Sequence, residues 1–277
     1  MVVGVLAEDS RGRVLHAYDQ GRREHVAVKQ LNGPASPIAD ARFRRGALLP
    51  ARLRHRGIVE IYGFGRWPQG DRFFVMELVR GFEFTALLQQ ARTLRERLPL
   101  LRHITACAEA IGCAHRSRII HRDIKPENLL ISSRGHAVVI DWGIAKDLAL
   151  VESTGDSDLF LADGTDPRRT VAGQVMGTPA YMAPEQAWGG DVDERADVYA
   201  LGGLLLHTLT GVAPYPGDDA KTVLKQVISG PPPALSMLSA SLRPALVAVV
   251  ERALSRDPDD RYADANALAR ALHELAL

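Results

Sequence analysis

Alternating apolar and polar positions organise the first third of the chain. Residues 2–6 and 13–18 read as strands, with Asp9-Ser10-Arg11-Gly12 as the turn between them. Residues 24–31 read as a third strand, and residues 73–79 as a buried one that ends where Arg80-Gly81 turns the chain. Farther on the period lengthens. Residues 98–116 set Leu101, Ile104, Ala108, Ile111 and His115 down one side of a helix, which makes His115, like His103, a packing or surface position rather than a ligand. Residues 197–210 are apolar all round, so they predict a buried central helix stopped at Gly211, with Asp197 able to cap its start. Residues 218–229 and 241–254 read as capped amphipathic helices separated by Pro231-Pro232-Pro233, and a last helix starts from Asp264.

After the first of these helices comes the stretch that carries chemistry, residues 119–130, which reads I-I-H-R-D-I-K-P-E-N-L-L. Asp123 can accept a proton from an attacking hydroxyl, Lys125 can neutralise a phosphoryl oxygen, and Asn128 can hold a metal. Phosphoryl transfer needs mainly positioning and charge neutralisation, which such a set supplies. The residue order argues against a merely solvated charged turn. Residues 129–132 and 137–140 are short strand-forming runs joined by Ser133-Arg134-Gly135-His136. A hairpin there brings Asp141 beside Asn128, and two converging oxygen ligands suit Mg²⁺ on nucleotide phosphates.

With Asp141-Trp142-Gly143 in the place of an Asp-Phe-Gly, the chain resembles the eukaryotic-like serine/threonine protein kinases, especially bacterial ones. The resemblance covers nearly all 277 residues. It implies an α+β, bilobal fold: a small five-stranded antiparallel sheet plus one helix over residues 1–79, and a mostly helical lobe over 80–277. The hinge would lie at about 77–81 and the activation segment at 141–185. Val26-Ala27-Val28-Lys29 is similar to the strand that carries a phosphate-binding lysine. For ATP, the resemblance implies contacts from Leu6, Gly12, Val14, Ala27 and Lys29. Val14 and Ala27 would roof the adenine with Leu130 beneath, Met76 would guard the back, and Glu77 and Leu78 would offer backbone groups. Asp123 becomes the base, Lys125 its neighbour on the phosphate, and Asn128 and Asp141 the Mg²⁺ ligands. Residues 170–185, T-V-A-G-Q-V-M-G-T-P-A-Y-M-A-P-E, resemble the substrate-binding end, with Thr178 near Asp123 and Lys125. Arg122 implies an anionic partner from this segment, best supplied by phosphorylated Thr170. Asp197 matches the residue that orients the catalytic loop, and Arg261 the partner of Glu185.

Two departures stand in the amino-terminal part. Where a phosphate-covering loop wants three glycines, this chain has Ala7, Asp9 and Gly12. Where residues 40–53 should form the small lobe's helix, its ion-pairing Glu falls on Gly46, and Pro50 would weaken the helix one turn later. Lys29 is therefore expected to lack its usual carboxylate, with no acid nearby in sequence to replace it.

Composition narrows the classes. A formal net charge of +1 gives no global argument for nucleic acid or membrane binding. Residues 200–209, the longest apolar run, are too few to span a bilayer, and no signal peptide opens the chain. Cys107 and Cys113 sit on different helix faces and read as free core thiols of a cytoplasmic protein. Arginine dominates the cations. Of only five lysines, Lys29 and Lys125 stand where a compact ammonium is wanted. The leading reading is an ATP- and Mg²⁺-dependent kinase for protein Ser/Thr, with self-association for autophosphorylation. The alternative is a pseudokinase that scaffolds, for which Ala7, Asp9, Gly46 and Pro50 argue. Small-molecule phosphotransfer is disfavoured by the peptide platform at 177–185.

Overall fold

The computed structural model describes residues 1–9, 12–31, 37–68, 70–150, 179–238 and 242–275. Five antiparallel strands form the first layer: β1 (Val2–Asp9), β2 (Gly12–Asp19), β3 (Glu24–Leu31), β4 (Ile61–Arg66) and β5 (Arg72–Glu77), in the order β1-β2-β3-β5-β4. Strand β1 extends three residues beyond its predicted end. Gly12 is needed for packing here, since a Cβ would sit 2.2 Å from the Gln30 carbonyl oxygen on β3.

Period-2 alternation divides the sheet's faces. Leu15, Ala17, Val26 and Val28 form a small core with Tyr62, Trp67, Phe73 and Val75. Val14, Ala27, Lys29, Phe74 and Met76 occupy the other face by register: Val14 lies opposite Lys29, and Ala27 opposite Met76. The helix α1 (Pro37–Leu48) covers part of that face through Phe43, whose ring lies 5.0 Å from Phe74. Pro50 does not weaken it. The helix ends at Leu48, and Pro50 opens a separate 3₁₀ turn, where its missing N–H costs nothing.

The chain then crosses to a second, larger core. Residues 57–59 hydrogen-bond to Val139 (Val139 N to Gly57 O, 2.8 Å; Val59 N to Val139 O, 3.2 Å), which ties the sheet to the helical lobe. After the short strand β6 (Gly81–Glu83) and helices α2 (Phe84–Gln90) and α3 (Leu94–Arg97) comes α4 (Leu101–Arg116). Its first three expected residues form a 3₁₀ turn instead, because Pro99 lacks the N–H to continue a helix. The strands β7 (Ile119–Ile120), β8 (Leu129–Ser132), β9 (Ala137–Val139) and β10 (Lys146–Asp147) frame the loop of interest. Beyond the 3₁₀ turn at Pro179–Tyr181 lie α5 (Pro184–Ala187), α6 (Glu194–Thr210), α7 (Ala220–Ser229), α8 (Pro244–Ala253) and α9 (Ala265–Glu274).

Helix α6 is the hub of this lobe. Tyr199, Leu201, Leu204, Leu205 and Leu206 are fully buried, and Gly211 closes it in the left-handed region (φ 77°). Its cap is Asp193, which accepts from the Arg195 amide, so Asp197 is released from that duty. Asp264 caps α9 at the expected start; α7 begins at Ala220 with Asp219 as its cap, two residues later than expected, and α8 begins with Pro244 and no side-chain cap. Both cysteines are free.

Candidate active site

The site is built on the buried carboxylate of Asp197, fully enclosed inside the first turn of α6. It accepts hydrogen bonds from the backbone amides of His121 and Arg122, each at 2.8 Å, and pairs with His115 Nε2 at 2.9 Å. Burial would raise this carboxyl's pKa, but His115 and His121, with the donated hydrogen bonds, hold it below its ordinary value. His115 Nδ1 in turn accepts from the Ala265 amide at 3.2 Å. One carboxylate thus joins α4, α6, α9 and the loop after β7. It also holds Arg122 in the left-handed region (φ 66°), a conformation non-glycine residues adopt at a cost of about 1–3 kcal/mol.

His121 fixes the next step. Its Nδ1 accepts from the Asp123 amide at 3.2 Å, its Nε2 meets the Ile140 carbonyl at 3.2 Å, and its ring meets Trp142 edge-on at 4.6 Å. Asp123 then presents both carboxylate oxygens to Lys125 Nζ (2.9 and 2.8 Å), while Asn128 Nδ2 donates to the Asp123 carbonyl at 2.7 Å and to Oδ2 at 2.9 Å. The hairpin of β8 and β9 returns the chain as its residue pattern predicts. Leu129 pairs with Val139, and the Ile140 amide donates to Asn128 O at 2.9 Å, so Asp141 follows directly beside Asn128.

Lys29 does not go without an acid. Its ammonium lies 3.0 Å from Asp141 Oδ1, bridging β3 and the turn after β9. Burial would raise the Asp141 carboxyl, but the Lys29 charge and hydrogen bond, helped by His121 and Lys125, lower it to about 2. Gly46 lies against the same turn: a Cβ there would sit 3.5 Å from the Gly143 Cα.

Residues 3–273 match the family model described as protein kinase domain. The chain belongs to the protein kinase family. It is 34% identical over 272 residues to the serine/threonine-protein kinase PknH of Mycobacterium bovis, covering 98% of this chain and 43% of that protein. It is 33% identical over 279 residues to the serine/threonine-protein kinase pkn3 of Myxococcus xanthus, covering 98% and 49%. With PknB of Mycolicibacterium smegmatis the identity is 37% over 251 residues, covering 89% and 38%. The chain therefore spans less than half the length of each of these relatives.

Protein kinases in general use ATP and Mg²⁺. The donor chemistry here fits a hard divalent cation: an ionised carboxylate, 43% exposed, beside an amide whose nitrogen is committed to Asp123 and whose oxygen is its remaining polar atom. No helix among the described residues is long and apolar enough to cross a membrane.

The remaining expected residues divide. Val14, Ala27 and Met76 share the cleft-side face with Lys29, and Leu130 pairs with Val138 below. Leu6 on β1 is about half exposed. The Glu77 amide donates to Glu60 O at 2.9 Å. Arg261 pairs bidentately with Glu185 (2.7 and 2.8 Å) and donates to three carbonyls, as the resemblance implies. Thr178 and Thr170 lie outside the described residues. Gln186, whose Nε2 donates to Arg122 O at 3.1 Å, and the His115 link carried no warning in the sequence pattern.

Proposed function

We propose that this chain is an ATP-dependent kinase for serine and threonine hydroxyls of proteins. The observation that carries the reading is the joined pair of networks, Asp123–Lys125–Asn128 and Lys29–Asp141, within one cleft. Asp123, held by Lys125 and Asn128 yet 28% exposed, takes the proton of the acceptor hydroxyl. That oxygen bonds to the γ-phosphorus as the β–γ bridging bond breaks and ADP leaves. Lys125 and Lys29 supply positive charge to the phosphates, each charge-assisted contact contributing about 1.5–3 kcal/mol. Mg²⁺ held by Asn128 and Asp141 would neutralise developing phosphate charge. Lys125 two residues after Asp123, with Thr178, favours Ser/Thr over Tyr. Arg122 and Thr170 are the regulatory pair of this reading.

A scaffold without activity is less well supported, because Asp141 supplies the counter-ion that Gly46 withholds. Phosphate incorporation from Mg-ATP, wild type beside Asp123→Asn, tests the proposal. Incorporation should occur and be lost in the variant; equal incorporation by both, or none by either, overturns it.

A further inference from the structure

A second concavity, of about 300 Å³, opens where α4, α9 and the loop at residues 54–57 meet. None of its lining residues belongs to the cleft described above. Helices α4 and α9 lie side by side here: Arg116 Nη1 donates to Asn266 Oδ1 at 2.5 Å, and Asn266 Nδ2 donates to Gly112 O at 3.0 Å. One helical repeat along, His273 Nε2 meets Glu109 Oε1 at 2.8 Å. Residues 266, 269, 270 and 273 recur at i, i+3, i+4 and i+7, so they share one face, with buried Ala269 as the floor.

His55 forms the third wall. Its Nδ1 accepts from the Gly57 amide at 3.1 Å, which leaves Nε2 as the ring's donor. Gly57 presses the loop onto α4, since a Cβ there would lie 2.9 Å from Ala110 Cβ. The wall is therefore packed against α4. Burial lowers the His55 pKa; Glu109 works against that, and Arg56 and Arg116 add to it, so three charges reach this ring.

We propose that this pocket binds a phosphomonoester dianion, with Arg116 and Arg270 supplying the counter-charge and His55 a further donor. The charge balance favours an anion: Arg116 and Arg270 line the pocket and Arg56 is within electrostatic reach, against one carboxylate, Glu109, already engaged by His273. Guanidinium groups present planar pairs of donors that match phosphate oxygens, and a phosphate offers three strong acceptors to a site whose donors outnumber its acceptors. The volume lies at the small end of ligand clefts, enough for a phosphate with a few attached atoms. A free phosphate compound and a phosphothreonine side chain present the same group. The proposal does not depend on the kinase reading.

The test is calorimetric titration of the full chain with inorganic phosphate, with a phosphothreonine peptide and with its unphosphorylated twin. Wild type should bind phosphate or phosphopeptide saturably and ignore the twin. Arg116→Gln/Arg270→Gln should weaken binding at least about tenfold, as the loss of charge-assisted contacts requires. Tighter binding of the phosphopeptide than of phosphate makes the ligand protein-borne, and equal binding makes it a free phosphate compound. Should the double variant misfold, Arg270→Gln alone, at an exposed helix position, carries the test. Absence of saturable binding by wild type, or unchanged affinity in a folded variant, overturns the proposal. So does binding of the twin as tight as that of the phosphopeptide.

Discussion

Lys29 Nζ lies 3.0 Å from Asp141 Oδ1, across 112 positions of sequence. In this chain the lysine's counter-ion comes from the turn after β9, not from α1, where Gly46 has no side chain to offer. On the proposed reading Asp141 has two duties, holding Lys29 and presenting an oxygen to a cation.

The first consequence is a dependence on acid. The Asp141 carboxyl falls from an ordinary 3.8 to about 2 in the folded chain, so ionised Asp141 contributes its full stabilisation above pH 3.8. That contribution is lost as pH falls toward 2. Both side chains are more than a third exposed (35% and 43%), so solvent screening keeps the pair within about 1 kcal/mol. The gap in melting temperature between wild type and Lys29→Met should be largest above pH 4 and shrink toward pH 2. A gap that is independent of pH would show that Lys29 acts on stability by other means.

Asp141→Asn keeps the size of the side chain and removes its charge. It should abolish Mg²⁺-dependent phosphate transfer while leaving the circular dichroism spectrum unchanged, since the residue sits at a loop mouth in partial contact with solvent. Transfer that survives in both Asp141→Asn and Asp123→Asn would remove the basis of the proposed mechanism.

Asp197 behaves differently because it is buried with three donors. Asp197→Ala should cost about 3–5 kcal/mol in denaturant unfolding, as expected when one partner of a buried pair is removed. His115→Ala should be non-additive with it, since the two changes break one contact. Additive losses would mean that the His115–Asp197 contact contributes little.

Much of this was legible because it is local. The order Asp123, Lys125, Asn128 lies within six residues, and the hairpin to Asp141 is set by two short strands and a turn, so neighbouring residues carry the signal. The partner of Lys29 was not legible, because only the folded sheet brings β3 over residue 141. Asp197 reads equally well as a cap, and the structure gives that task to Asp193, which leaves the later carboxylate for the loop. His115 fits an apolar helical stripe by spacing, and nothing in that stripe shows that its two nitrogens reach Asp197 and Ala265.

Thr170 provides a test of regulation. Arg122 Nε donates to Ile144 O at 2.7 Å, which sets its guanidinium beside the start of the activation segment. Incubation with ATP should place phosphate on Thr170 first, as read by mass spectrometry, and Thr170→Ala should slow transfer to an added protein. Phosphate found only between residues 153 and 165, with Thr170→Ala fully active, would rule out the pairing.

The last prediction separates Asp141's two duties by giving Lys29 a second acid. A Cβ at position 46 meets Gly143 Cα at 3.5 Å, an ordinary contact, so Gly46→Glu can be accommodated on α1 without displacing the turn. Pro50 lies beyond the end of this helix and needs no repair. The new carboxylate should share the lysine and leave Asp141 freer to hold a cation. Any helix residue replacing glycine also adds up to about 1 kcal/mol of helix propensity, so Gly46→Ala is the control. Calorimetry should show Mg-ADP binding several-fold tighter in Gly46→Glu than in Gly46→Ala, a gain below the full contribution of one charge-assisted contact, about 1.5–3 kcal/mol (roughly ten- to hundredfold), because the lysine is shared. Equal affinities in the two variants, both more stable than wild type, would mean that Asp141 serves lysine and metal without conflict.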